Sequence, residues 1–200
     1  MSNLYTGSQR ELQREHDTER LADRIESQLV RDRITPEDRA FIEARDMLFL
    51  ASADAQGRPT CSYKGGDPGF VRVLDERTVL FPSYDGNGMF LSMGNLAENP
   101  NVGILFIDFE AQSRLRLEGT ARLLPTSSVE PPIPGAQVLV QVTVRRLFPN
   151  CPRYIHKLQL VERSRFVPRG TGPAPIPGWK RAGWACDVLP AGDPAREPTS

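Results

Sequence analysis

Lysine, histidine and cysteine are all scarce in this chain. Among its 200 residues only Lys64, Lys157 and Lys180 stand beside 22 arginines. We read that bias as genomic composition and not as an adaptation for anions, which leaves the three surviving lysines worth following. Basic and acidic residues balance at 25 each, so no global field favours nucleic acid or an anionic membrane. Cys61, Cys151 and Cys186 show no C-x-x-C spacing, which excludes a disulfide scaffold and a thiolate metal site. His16 and His156 are the only histidines, too few for a multi-histidine zinc or iron centre, so no metal is expected. No apolar run approaches the roughly 20 residues that span a bilayer. A basic segment leading into an apolar secretion signal is also missing, and a reduced, cytoplasmic setting is expected. G-x-G-x-x-G, Walker, H-E-x-x-H and G-x-S-x-G motifs are absent, which directs a catalytic reading toward a cofactor with its own reactivity.

What is present divides into an N-terminal helical arm over 1–34, a main domain over 35–168, and a C-terminal wrapping loop and tail over 169–200. Residues 10–30 carry Leu12, Leu21, Ile25 and Leu29, and the last three recur every four residues, which predicts one amphipathic helix. Thr35-Pro36-Glu37-Asp38 is a helix start, with Thr35 as N-cap, Pro36 in the first position and Asp38 at the capping-box position. Strand patterns follow at 47–53, 59–64, 70–74, 78–81, 101–109, 113–124 and 137–147, with the apolar 101–109 expected to be central and buried. Short strands with short connections favour an antiparallel sheet or barrel of six or seven strands. Trp179 and Trp184 predict an ordered wrap over 163–183, because exposed tryptophan is costly, and residues 190–200 read as a frayed tail.

Residues 81–100, FPSYDGNGMFLSMGNLAENP, organise the rest. A break at Asp85-Gly86-Asn87-Gly88 leads into a short helical stretch with Ser92 and Asn95, where amides and hydroxyls converge as an anion requires. Arg114 and Arg116, two apart on a strand, share its polar face and offer charge-assisted donors. The same residues have ordinary uses. Asn87, Ser92 and Asn95 are common caps, the arginines suit a solvated face, and Tyr63 and Tyr84 suit a sheet rim. His156 lacks a partner at catalytic spacing.

In order, GRPTCSYKGGDPGFVRVLD, the 81–100 segment, NVGILFIDFE, RLRLEGTARL and NCPRYIH resemble the pyridoxamine 5'-phosphate oxidase-like, FMN-binding split-barrel proteins, over about residues 41–156. The resemblance implies a mainly β fold: a six-stranded split β-barrel with accessory helices, forming a homodimer with FMN at the subunit interface. It assigns Ser62, Tyr63 and Lys64 to the flavin, with Gly65 and Gly66 allowing close backbone approach. Ser92, Asn95 and Arg114 or Arg116 fall to the phosphate, with Asn87 in the preceding loop. Asn150, Arg153, Tyr154 and His156 are placed on the substrate side, and no catalytic residue is assigned. The departures are the lack of any basic residue between Asp85 and Pro100 and the lack of the family's C-terminal substrate signature, so the namesake oxidase activity is not expected. The expectation is an FMN-dependent oxidoreductase acting on a small molecule, with NAD(P)H as candidate donor. The alternatives are a flavin-binding protein without turnover, or a haem-binding split barrel using His156.

Overall fold

The computed structural model describes residues 4–170, 172 and 175–196. Its alternating segments form β1 Met47–Ala53, β2 Pro59–Gly65, β3 Arg72–Asp75, β4 Thr78–Tyr84, β5 Asn101–Asp108, β6 Ser113–Leu124 and β7 Ala136–Pro149. These seven strands, within the six or seven read from the pattern and one more than the six that the resemblance implies, make one antiparallel sheet ordered β2-β1-β5-β6-β7-β4-β3. Side chains from both ends of that order meet in one core: Leu48 and Leu50 of β1, Val73 of β3, Phe81 of β4, Phe106, Leu117 and Val142. The sheet therefore curls around a common interior, as a twisted sheet of this size does. Its edges, β2 and β3, do not pair with each other, so the barrel is split.

Period-two burial decides what faces the core. In β6, Leu115, Leu117, Gly119 and Ala121 are buried, while Arg116, Thr120 and Arg122 are exposed. In β5 only Val102, Ile104 and Phe106 are buried. Gly103, Leu105 and Ile107 lie half-exposed on the outer face, so the strand is central in the sheet but not enclosed on both sides.

The helices sit around this sheet. The expected single helix over 10–30 is two, α1 Gly7–Glu15 and α2 Glu19–Leu29. The break falls at Asp17, whose φ of 52° is incompatible with continuing a right-handed helix. The two helices are joined by Arg10–Asp23 at 2.7 Å and by the Tyr5 hydroxyl donating to the Ala22 carbonyl at 3.0 Å. Leu21, Ile25 and Leu29 remain exposed. α3, Pro36–Glu43, starts with both capping-box bonds in place: Asp38 N–H to Thr35 Oγ1 at 3.2 Å and Thr35 N–H to Asp38 Oδ2 at 3.0 Å. The Asp38 carboxylate also receives Arg31 on both oxygens, at 2.7 and 2.8 Å. It thus caps α3 and anchors the incoming chain at once. α4, Leu91–Glu98, buries Met93 and Leu96 in the core. Its Asn95 amide donates to Ser52 Oγ at 3.1 Å and Thr60 Oγ1 at 3.2 Å, fixing the helix to the β1–β2 hairpin.

Two C-terminal expectations change. Trp184 is 73% exposed and stacks on Trp179, with ring centroids 6.0 Å apart, so only one of the tryptophans is shielded. Residues 190–196 are not frayed, because Asp193 is tied to buried Lys180 at 2.7 Å; residues 197–200 of that expectation lie outside the described residues. Among the described residues no helix is long and apolar enough to cross a membrane.

β6 and β7 shift register between Glu118 and Gly119. A Cβ on Gly119 would overlap the Thr143 carbonyl oxygen, a backbone atom that cannot swing aside. Gly119→Ala is therefore expected to cost about 2–3 kcal/mol as a buried overpacking change, read as a lower urea midpoint at an unchanged denaturant slope.

Candidate functional site

β2 pairs only with β1. Its side chains alternate, so Thr60, Ser62 and Lys64 share the inward side with Leu48 and Leu50 of the neighbouring strand, while Cys61 and Tyr63 point outward. Among the described residues no strand pairs along the other edge of β2. Instead Ser62 and Lys64 line a cleft of about 390 Å³ whose other walls are Ser83 and Tyr84 of β4, the loop at 85–90, and Leu91, Ser92 and Met93 of α4. Met89, Phe90 and Leu91 expose their side chains around it.

Two features make this cleft receptive to negative charge. Lys64 is half-buried, and among the described residues its ammonium has no hydrogen-bond or ion-pair partner. Burial alone draws its pKa below that of an ordinary lysine. The N-terminus of α4 is the second feature. Phe90 occupies the N-cap position in a left-handed conformation, φ 49° and ψ 25°, and offers no side-chain cap. The leading amides of the helix therefore have no side-chain acceptor, and the positive end of its dipole adjoins the cleft. Ser92, in the first turn, is buried against the same cleft.

The residues singled out from the sequence separate into groups. Ser62, Lys64, Asn87 and Ser92 all line the cleft. Asn87 also accepts the Met89 N–H at 3.1 Å, the ordinary turn role. Asn95 does not line the cleft, since its amide is engaged by Ser52 and Thr60. Tyr63 faces away from Lys64, edge-on to Phe49 at 6.0 Å, and lines a separate chamber of about 640 Å³, as the alternation of a strand requires. Gly65 and Gly66 border that chamber and not the cleft; a Cβ on Gly65 would meet the Tyr63 ring at 2.8 Å and one on Gly66 would overlap Phe70. These glycines accommodate the chain's own aromatic rings.

Arg114 and Arg116 are not brought to the cleft. They lie on the outer face of β6, where Arg116 rims an apolar groove of about 480 Å³ formed with Phe49, Ala51, Cys61, Gly103 and Leu105. The Arg114 Nε is buried without a partner among the described residues. Arg153 donates to Cys151 Sγ at 3.1 Å and holds that thiol below its usual pKa. Tyr154 and His156 are exposed, and none of Asn150, Arg153, Tyr154 or His156 lines the cleft or the chamber.

Sequence reasoning expected a C-terminal wrap but did not say that it walls a cavity. The chamber is bounded by Asp46, Tyr63, Tyr84 and Asp85 on the barrel side and by residues 162–167 on the other. That second wall is held where Arg169 reaches both Asp67 oxygens, at 2.6 and 2.7 Å, and Arg163 adds a contact at 3.3 Å. Tyr84 and Asp85 border both cavities. The expected wrap over 163–183 foresaw an ordered segment here, but no motif spacing announces partners this far apart. Among the described residues no group of three His, Cys, Asp or Glu side chains could hold a metal ion.

The chain is 31% identical over 90 residues to haem oxygenase HutZ of Vibrio cholerae, covering 45% of this chain and 46% of that protein. It is 33% identical over 91 residues to pyridoxine/pyridoxamine 5'-phosphate oxidase of Paraburkholderia phymatum, covering 42% and 39%. It thus spans less than half the length of these curated relatives. Among solved structures, HupZ of Group A Streptococcus aligns at 19% identity and a TM-score of 0.48, over 63% of this chain and 99% of that one. The sequence profile described as pyridoxamine 5'-phosphate oxidase matches residues 34–149, the whole barrel and more than half of the chain, and the protein belongs to that split-barrel family.

Proposed function

We propose that this protein binds FMN as an oxidoreductase, with the flavin phosphate held by Lys64, Ser92 and the N-terminus of α4. The observation that carries the reading is the unpartnered, half-buried ammonium of Lys64 in the same cleft as an uncapped helix end. A phosphate ester carries about −1.5 to −2 charges near neutrality and three acceptor oxygens, which such a donor set fits. When bound, FMN would supply hydride-accepting chemistry. The chain's own part is to seat the anion, to present Ser62 beside it, and to offer an adjoining chamber for a small substrate, with NAD(P)H as candidate donor. Tyr84, its phenol pKa raised by burial, stands where the two cavities meet.

The same proposal includes a homodimer. Phe49, Ala51, Cys61, Gly103 and Leu105 form an apolar outer groove where a solvated sheet face would alternate to polar residues. A second copy seated there would bury it together with the Arg116 that rims it. Haem binding is the second reading, supported by the curated haem oxygenase relative. Against it, neither His16 nor His156 lines the cavities described, so an axial ligand from this chain's cleft is wanting. The visible spectrum separates the two, with maxima near roughly 375 and 450 nm for flavin against one intense band near about 400 nm for haem.

Lys64→Ala is expected to weaken FMN binding by about 1.5–3 kcal/mol, a rise of roughly ten- to hundredfold in Kd by fluorescence quenching. The pH profile follows from the same group. Because burial lowers the pKa of Lys64, its contribution is full at pH below that value and is lost as pH rises through it, earlier than for an exposed lysine. A wild-type affinity that holds steady across this alkaline range would remove Lys64 from the phosphate. For the dimer, Leu105→Asp is expected to give a monomer by light scattering where the wild type gives a dimer.

A further inference from the structure

Lys180 is the charged residue with the least exposed surface among the described residues, at 5%. It lies in a short 3₁₀ turn, Gly178–Arg181. Its ammonium donates to Asp85 Oδ2 at 2.6 Å and to Asp193 Oδ2 at 2.7 Å. Burying an ammonium is costly unless it is paired, and Asp193 alone would meet that need. The Asp193 side chain is 7% exposed and its other oxygen accepts the Ala195 N–H at 2.9 Å. Asp85 is different. At 56% side-chain exposure it would be hydrated without Lys180, so the second bridge is needed neither for the charge of Lys180 nor for the solvation of Asp85. What that bridge does is fix a position.

Asp85 is the first residue of the loop that joins β4 to α4 and lines the cleft. Its Oδ1 accepts from Gln137 of β7 at 3.2 Å, so the residue is gripped from the barrel wall and from the C-terminal segment together. Beyond it, among the described residues, the side-chain hydrogen bonds of residues 86–90 are confined to Asn87 and Met89. Asp85 is thus the tertiary side-chain anchor of that loop. A second pin stands across the split, where Asp67, just after β2, receives Arg163 and Arg169. Pro190, between Lys180 and Asp193 in the sequence, lines the cleft as well.

We propose that residues 160–170 and 175–196 form a strap across the split of the barrel, and that Lys180 is a positioning residue. By holding Asp85 it sets the 85–90 loop and the N-terminus of α4 where an anion is received. Lys180 touches no ligand itself. It also neutralises a carboxylate that would otherwise stand bare at the lip of an anion site. The functional consequence rests on the FMN reading above, whereas the structural one does not.

The test compares full-length wild type, Lys180→Met, and Lys180→Met combined with Asp193→Asn, which leaves no lone buried charge. Circular dichroism establishes that each is folded, hydrogen exchange by mass spectrometry reads residues 85–91, and FMN titration reads affinity. Both variants are expected to exchange roughly tenfold faster over 85–91 with the barrel strands unchanged, and to show a Kd about three- to thirtyfold higher. Unchanged exchange over 85–91 in the folded double variant overturns the proposal, and so does faster exchange with unaltered FMN affinity. A wild type that binds no FMN refutes the flavin reading, and the exchange comparison then still decides whether Lys180 holds the loop.

Discussion

The unpaired edge of β2 is the constraint on which the rest of the molecule turns. A strand paired on one side leaves a row of backbone groups and one row of side chains without a neighbour, a liability that proteins close off by covering the edge. Here Thr60, Ser62 and Lys64 occupy the inward row where a closed barrel would place apolar residues. The opening is bridged piece by piece. Asn95 ties α4 to Ser52 and Thr60, the loop at 85–90 forms one lip, and the C-terminal strap is pinned at Asp67 and Asp85. The cleft is what remains between these covers.

Charge is distributed around it with the opposite logic to the arginine-rich composition. Many arginines are spent on carboxylates in the frame: Arg31 on Asp38, Arg45 on Asp108, Arg146 on Glu118, Arg163 and Arg169 on Asp67. The two lysines at the split do other work. Lys180 is enclosed by two carboxylates, and Lys64 is left with none among the described residues. A compact ammonium on a flexible stem suits a confined wall better than a rigid planar fork. The segment between Asp85 and Pro100 lacks basic side chains, so its positive potential comes from helix amides, with Lys64 facing them.

Much of this was legible because it depends on local pattern. Strands β1 and β6 begin and end where their alternation does, and the capping box of α3 follows from Thr35 and Asp38. The break at Asp17 was not legible, because the apolar spacing of Leu21, Ile25 and Leu29 says nothing about a left-handed residue before it. Tyr63 and Lys64 are neighbours on a strand and face opposite ways, so their adjacency in the sequence does not bring them to one cavity. Arg114 and Arg116 were correctly read as sharing a polar face, but that face is the outside of the barrel wall, and only the curl of the sheet decides this. Lys180 with Asp85 lies beyond any pattern, because the two are joined across 95 positions.

The central claim is that the cleft beneath β2 recognises a phosphate attached to a flavin, and comparing FMN with riboflavin tests it most directly. Both share the ring and ribityl chain and differ only in the phosphate. Titrated side by side at low salt, FMN should bind tighter than riboflavin by at least about tenfold, the order of one charge-assisted contact, and that preference should collapse in Lys64→Ala. Equal affinity for the two flavins, or a preference that survives loss of Lys64, would contradict the account.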